Sequence, residues 1–139
     1  MSTSLLNHRY RVLKSLAEGG FGKTFRVEDT QMPSRRQCVI KQLKPMNDRP
    51  EVFQVIQDRF DREAAVLEAV GKGSSQIPDL YAYFQEGGQF YLVQEWIEGS
   101  PLIALVKEDW SDERVRSLLA NSLSALIHVH QQNIIHRDI

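Results

Sequence analysis

Short apolar segments separated by turn residues fill the first third of the chain. Strands are expected at residues 10–17, 22–28 and 37–43, where β-branched, aromatic and other apolar residues are enriched. Glycines separate the first two segments, and a polar stretch at 29–34 separates the second from the third. These short connections predict an antiparallel meander of three strands.

The next segment, 51–70, has the periodicity of a helix that ends at Gly71. Its apolar residues recur at spacings of three and four: Phe53, Ile56, Phe60, Leu67 and Val70. Glu63 continues the same row, which places a carboxylate in line with the buried face. A carboxylate in that position needs a cationic partner, and we expect the two to form an internal ion pair.

Two further strands are predicted at 80–86 and 89–97, joined by the tight turn Gly87-Gly88. A short helix is expected next, with Ser100 as its N-cap, Pro101 in its first turn and an end near residue 108. Ser111 opens a longer helix with a wide apolar face. Five strands and three helices in this order indicate the α+β class.

Composition narrows the possible partners. The chain has 139 residues, of which 42% are hydrophobic and 25% charged, with a formal net charge of −1. This suits a globular domain and gives no basic surplus for nucleic acid or a membrane surface. A single cysteine, a start without a secretory pattern and no apolar run near the roughly 20 residues of a membrane span predict a cytoplasmic location and no membrane contact from this segment.

A glycine turn, residues 18–22, lies between the first two predicted strands. Its glycines would let backbone N–H groups approach phosphate oxygens, although a simple hairpin turn explains the same residues. Lys41 ends an otherwise apolar stretch on the third strand. A strand-end lysine can lay its stem along apolar surface, but Glu63 on the following helix offers it a partner.

The last feature is the segment 133–138, Asn-Ile-Ile-His-Arg-Asp, after the long helix. Asp138 could accept a proton from a hydroxyl, and Arg137 could pair with an anion such as a phosphorylated residue; a solvated turn is the ordinary alternative. Zinc is set aside, because His128, His130 and His136 have no fourth ligand. We therefore predict no metal site within this chain.

Taken in order, these stretches resemble the eukaryotic-type protein kinases, and the segments Gly-Gly-Phe-Gly-Lys-Thr-Phe and Asn-Ile-Ile-His-Arg-Asp-Ile are most similar to bacterial serine/threonine kinases. The resemblance implies three catalytic residues: Lys41 holding phosphates, Glu63 pairing with that lysine, and Asp138 as catalytic aspartate. It also implies an ATP site formed by Ala17, Gly19, Gly20, Phe21, Gly22, Thr24, Val39, Lys41, Gln94, Glu95 and Ile97.

Within that ATP site, the resemblance implies specific roles. Val39 would roof the adenine, Gln94 would be the gatekeeper, and the main chain of Glu95 and Ile97 in the hinge, residues 95–97, would bond the base. Further residues would be structural or regulatory: Leu67, Leu80 and His136 in the apolar spine that joins the two lobes, and Arg137.

By the same resemblance, residues 1–9 are an N-terminal extension, 10–98 the N-lobe and hinge, and 99–139 the start of a mainly helical C-lobe, truncated in the catalytic loop. The implied activity is transfer of the γ-phosphoryl group of ATP to a protein hydroxyl. Its Mg²⁺ ligands, an asparagine and an Asp-Phe-Gly aspartate, are expected beyond residue 139. We therefore expect the 139 residues alone to be inactive. An inactive nucleotide-binding or protein-interaction module is the alternative.

Three positions depart from the family pattern. Ala17 replaces the first glycine of the loop, Thr24 replaces a valine, and Pro101 occupies a position that often carries an acidic residue for the ribose. An alanine still fits an extended strand end, whereas proline has no side-chain acceptor. We expect these changes to weaken nucleotide binding without abolishing it.

Overall fold

The computed structural model describes residues 4–19, 22–43 and 49–135. Within these ranges five strands form one antiparallel sheet in the order β1-β2-β3-β5-β4, accompanied by three helices. The elements are β1 (Tyr10–Gly19), β2 (Gly22–Asp29), β3 (Gln37–Leu43), α1 (Pro50–Gly71), β4 (Leu80–Glu86), β5 (Gln89–Glu95), α2 (Leu102–Leu105) and α3 (Asp112–Gln131). The predicted meander, the central helix and the second hairpin are confirmed.

Turn chemistry explains the second hairpin and the limits of the first short helix. Gly87 and Gly88 have φ values of 57° and 76°, which suit a tight hairpin turn. The prediction for the short helix was wrong in two respects: Pro101, not Ser100, is the N-cap residue, and α2 ends at Leu105. No side chain caps the first turn of α2, so little holds a longer helix together there.

Each face of the sheet carries an apolar cluster, because successive residues of a strand point to opposite sides. On one face lies the outer cluster, which consists of Tyr10, Val27, Cys38, Ile40, Tyr91 and Val93. On the other lies the helix-side cluster, which consists of Phe60, Ala64, Phe90 and Leu92. Helix α1 supplies the first two of these and packs on β4 and β5. This leaves the β1–β2–β3 end of the helix-side face uncovered by α1.

Aromatic rings draw the two edge strands of the sheet together on the outer face. Tyr10 of β1 stacks on Phe84 of β4 with ring centroids 6.1 Å apart, and Phe84 stacks on Tyr91 at 4.9 Å. The segment before β1 reinforces this closure, since the Asn7 N–H donates to the Glu86 carboxylate at 3.0 Å. The strands farthest apart in hydrogen-bonding order are therefore neighbours in packing.

A buried carboxylate fixes the end of the β1–β2 pair that lies farthest from the glycine turn, where Asp29 pairs with Tyr10. Asp29 is fully buried and accepts two hydrogen bonds from the Arg9 guanidinium, at 2.7 and 2.8 Å. Arg36 lies 3.6 Å from the same carboxylate. The hydrogen bonds from Arg9 lower the pKa of Asp29 and outweigh the opposing effect of burial.

Helix α3 starts as predicted, and its apolar face is largely uncovered. The Ser111 hydroxyl caps it by accepting a hydrogen bond from the Arg114 N–H at 3.1 Å. None of its residues is buried. Polar contacts connect it to the end of α1 and to the loop that follows: the His128 imidazole lies 2.8 Å from the Val70 carbonyl oxygen, and the Gln76 amide donates to the Asn121 carbonyl at 2.8 Å.

No helix in the described ranges combines the length and the apolar character required to cross a membrane.

Candidate functional site

A cavity of about 250 Å³ lies beneath the turn between β1 and β2. The cavity is lined by Ala17, Glu18, Gly19, Gly22, Lys23, Thr24, Lys41, Gln42 and Leu43. Gly20 and Phe21, at the tip of the predicted glycine turn, lie outside the described residues. Two lysines stand on the cavity wall: Lys41 of β3, and Lys23 of β2, whose ammonium pairs with the Glu18 carboxylate at 3.1 Å.

The two described glycines of the turn have different surroundings. Gly22 has φ +147°, and a Cβ there would lie 1.9 Å from the Gln42 carbonyl oxygen of β3. Gly19 has nothing within 4 Å of its Cβ position. Gly22 is therefore needed for the close approach of β2 to β3, while Gly19 leaves open space above the cavity.

Lys41 and Glu63 form the predicted ion pair, with Lys41 Nζ and Glu63 Oε1 3.4 Å apart. The predicted burial of this pair was wrong, since the two side chains are 46% and 43% exposed. The cause is the position of α1 over β4 and β5, which leaves Lys41 at the border of the covered area. Half-exposed pairs contribute little to stability, so folding alone does not account for this arrangement.

Strand pairing defines most of the uncovered surface, here named the open face: Thr24, Val39, Lys41 and Gln94, together with Trp96, which follows β5 and stacks with Arg26, the β2 partner of Val39. Thr24 pairs with Lys41 across β2 and β3, and Val39 pairs with Gln94 across β3 and β5. Since antiparallel partners share a face, these side chains lie on the same side as Leu92, which pairs with Lys41. An apolar centre, at Val39, thus separates the lysine from the end of β5.

The segment after β5 is fixed at its start. The Glu95 N–H donates to the Asp79 carbonyl at 2.9 Å, and the Glu95 carboxylate accepts from the Asp79 N–H at 3.2 Å. Ile97 is 53% exposed two residues later. The first of the two predicted hinge residues is therefore held by the loop before β4, and the second lies at the surface.

Comparison with known proteins identifies the family. Residues 10–139 match the protein kinase domain. The chain belongs to the protein kinase family. Over 137 residues it is 56% identical to the serine/threonine-protein kinase PknA of Nostoc sp., covering 97% of this chain and 24% of that protein. It is 53% identical to serine/threonine-protein kinase C of Synechocystis sp., with coverages of 97% and 26%.

Solved structures agree on the fold. The crystal structure of the Mycobacterium tuberculosis PknI kinase domain superposes with a TM-score of 0.68 at 20% identity, covering 94% of this chain and 51% of that one. The sheet and α1 accordingly correspond to a kinase N-lobe, and α2 and α3 to the start of the C-lobe. The chain spans about a quarter of the length of the curated kinases named above.

Two of the three predicted spine residues meet at one cluster of this kinase fold. Leu67 of α1 and Leu80 of β4 both pack against the helix-side cluster. The third, His136, lies outside the described residues, as do Arg137 and Asp138. The catalytic-loop assignments therefore remain predictions from the sequence.

Sequence reasoning missed Arg26 of β2. Its guanidinium carbon lies 4.7 Å from the ring centroid of Trp96, and its Nε donates to the Gln37 side chain. Arg26 follows Thr24 by two residues and pairs with Val39, so it borders the open face. The alternation of residues along β2 was enough to predict which face of the sheet Arg26 lies on. Nothing in the sequence of the strand indicated its contact with Trp96.

The described residues do not provide a metal site. In the ranges 4–19, 22–43 and 49–135, no group of three or more His, Cys, Asp or Glu side chains could hold a metal ion. By the family pattern, the Mg²⁺ of a kinase would be held by an asparagine and an aspartate that follow the catalytic aspartate in sequence. No step assigned to the described residues depends on such an ion.

Proposed function

We propose that this chain is part of an ATP-dependent protein kinase that transfers the γ-phosphoryl group to a serine or threonine hydroxyl of a protein. One observation carries the proposal: the Lys41–Glu63 ion pair at 3.4 Å, beside the cavity beneath the glycine turn. The 56% identity to a bacterial serine/threonine kinase supports the choice of acceptor.

The cavity offers two features that suit the phosphates of a nucleoside triphosphate. Its backbone turn offers room at Gly19, and the Lys41 ammonium provides a positive charge at the wall. In the proposed roles, Lys41 binds phosphate oxygens, Glu63 holds the lysine in position, and Asp138 orients the acceptor hydroxyl. Bound Mg²⁺ would neutralise charge that develops on the phosphates.

The base would occupy the open face. Val39 supplies an apolar roof and Gln94 stands beside it, opposite in the β3–β5 pair. The main chain of Glu95 and Ile97 would bond the base edge, with Glu95 already fixed by Asp79. Kinase catalysis depends mainly on positioning and electrostatic stabilisation, which these elements begin to provide.

We also propose that the 139 residues alone bind ATP weakly and do not transfer phosphate. The family's metal-binding asparagine and Asp-Phe-Gly aspartate have no counterpart among residues 1–139. Without metal ligands, the largest electrostatic contribution to phosphoryl transfer is missing.

A protein-interaction module is the second candidate, and one observation favours it. Helix α3 presents an exposed apolar row, which consists of Val115, Leu119, Leu123 and Ile127. A contiguous surface of this kind is typical of a protein contact site. In this reading the nucleotide site would be a structural remnant with no catalytic use.

Titration calorimetry with ATP tests the nucleotide site directly. We expect Lys41→Ala to weaken ATP binding several-fold, because it removes one of the two lysine charges at the cavity wall. Lys72→Ala is the matched control, since Lys72 forms an equally long 3.4 Å pair with Glu68 on the exposed end of α1. Equal ATP affinity of the wild type and the Lys41 variant would remove this lysine from the site.

A chimera tests the catalytic half of the proposal. Residues 1–139 would be joined to the remaining kinase-domain residues of the Nostoc relative, and phosphate transfer to a protein substrate measured by mass spectrometry. We expect phosphoserine or phosphothreonine, reduced about 100-fold or more by Asp138→Asn. A chimera that folds and binds ATP but transfers nothing would favour the interaction module.

A further inference from the structure

Arg26 and Trp96 connect two parts of the open face that are separated in the sheet. Arg26 lies on β2, opposite Val39, while Trp96 follows the end of β5. Strand β3 runs between them, so the contact of guanidinium and indole passes over the strand that carries Val39. It therefore lies at the hinge end of the open face, and Lys41 lies at the other end.

Two interactions fix the Arg26 guanidinium, one with Trp96 and one with Gln37. The guanidinium carbon lies 4.7 Å from the indole centroid, within the range of a cation–π interaction. The Nε of Arg26 donates to the Gln37 side chain on β3, which fixes the plane of the guanidinium. The Trp96 indole nitrogen is buried and has no hydrogen-bond partner among the described residues. The ring is thus held by stacking, with no contribution from a hydrogen bond of its own.

The fold of β2 does not depend on this contact. Phe25 and Val27, its neighbours along the strand, pack with the outer cluster on the opposite face. Strand pairing with β1 and β3 continues on both sides of Arg26. A half-buried arginine that crosses the open face is therefore better explained by what the open face binds than by the core.

We propose that Arg26 is a positioning residue for the base end of a purine nucleotide. It acts by clamping Trp96 and the hinge against β2, so that the hinge main chain and the roof at Val39 keep a fixed separation. The inference rests on the proposed function, because it needs a nucleotide in the open face. It assigns no role to Arg26 at the phosphate end, where Lys41 lies.

The test compares two ligands that share only the phosphate end. ATP and inorganic tripolyphosphate are titrated by calorimetry into the 139-residue chain and its variants. We expect Arg26→Ala to weaken ATP binding about three- to tenfold, since losing a stacked cation weakens the clamp. Tripolyphosphate affinity stays unchanged. Arg26→Lys keeps the charge but loses the planar stack, so it weakens ATP binding by an intermediate amount.

Two controls fix the interpretation. Arg114 stacks on Trp110 at 3.9 Å, remote in sequence from the hinge, and Arg114→Ala leaves both affinities unchanged. Lys41→Ala weakens both ligands. In a Trp110→Phe background, Trp96 is the remaining tryptophan of the two, and Arg26→Ala shifts its emission to longer wavelength as the indole gains exposure.

The outcomes separate the inference from the proposed function. Unchanged ATP affinity in Arg26→Ala, or an equal loss for ATP and tripolyphosphate, would overturn the role at the base end while leaving the kinase proposal intact. No saturable ATP binding by the wild type would overturn the proposed nucleotide site and this inference with it. If Arg26→Ala does not fold, Arg26→Lys decides by the same comparison of ligands.

Discussion

The sheet and helix α3 use similar apolar residues with opposite results. Leu92 and Ile40 in the sheet are fully buried, whereas Leu123 and Ile127 of α3 are 59% and 57% exposed. Both sets follow the periodicity of their element. A sequence pattern thus identifies which face should be covered, but the partner that covers it has to be found elsewhere.

The largest expected effect comes from making the same substitution in both regions. Leu92→Ala should lower the free energy of unfolding by about 2–5 kcal/mol, because it leaves a cavity between α1 and the sheet. Leu123→Ala should change it by less than about 0.5 kcal/mol, as at other exposed sites. Urea unfolding of the two variants measures the difference. Similar losses would mean that α3 is buried in solution, contrary to the structure.

The glycine turn gives a second contrast, this time inside the sheet. Gly22→Ala should cost about 2–3 kcal/mol, because its Cβ would clash with the Gln42 carbonyl oxygen at a φ value that alanine rarely adopts. Gly19→Ala, which meets no atom within 4 Å, is the control and should be nearly neutral for stability. Thermal melting compares the two. A neutral Gly22→Ala would show that β2 does not approach β3 this closely.

The buried carboxylate makes the stability of the sheet depend on pH in the acid range. Asp29→Asn should cost about 2 kcal/mol at pH 7, less than for a pair buried on both sides, because Arg9 and Arg36 remain about a third exposed. The pKa of Asp29 is lowered, so its contribution is complete above the unfolded value of about 3.9 and is lost as the pH falls through the folded value.

Urea unfolding between pH 7 and pH 2 checks this sign. The gap in unfolding free energy between the wild type and Asp29→Asn should close as the pH drops below about 4. A gap that is constant over that range would mean that Asp29 has the same pKa in the folded and unfolded chains.

The smallest effect on stability is expected at the α3 surface, where association should change instead. Leu119→Gln with Leu123→Gln should leave the unfolding free energy within about 0.5 kcal/mol and reduce self-association of the chain. Val55→Gln is the control, an apolar residue on α1 that is 53% exposed. Light scattering at several concentrations decides, and a monodisperse wild type would show that the row does not drive association.

What the sequence predicted well was local. Turn residues at Gly87 and Gly88, the cap at Ser111 and the period of α1 each depend on neighbours within a few positions, and each was found in place. The Lys41–Glu63 pair is non-local, and it was found because two charges stood out against apolar surroundings.

What the sequence did not predict depends on where elements pack. The exposure of Lys41 follows from the lateral position of α1 on the sheet, which no residue of β3 specifies. Arg26 meets Trp96 only because β5 lies next to β3, so a contact between distant positions arises from strand order. The predicted N-cap of α2 was wrong by one residue, since Pro101 and not Ser100 occupies that position.

The pairing of β3 with β5 also bears on the order in which the fold assembles. Ile40 lies opposite Val93, while α1 and β4 intervene in sequence, so this ladder closes a long loop. Loop closure costs entropy before the ladder returns any stability, whereas the β1–β2 and β4–β5 hairpins close locally. We expect the hairpins to form first, and the pairing of β3 with β5 to be the step after which the whole sheet is stable. In hydrogen exchange, the amides of Ile40 and Val93 should then be among the last to open.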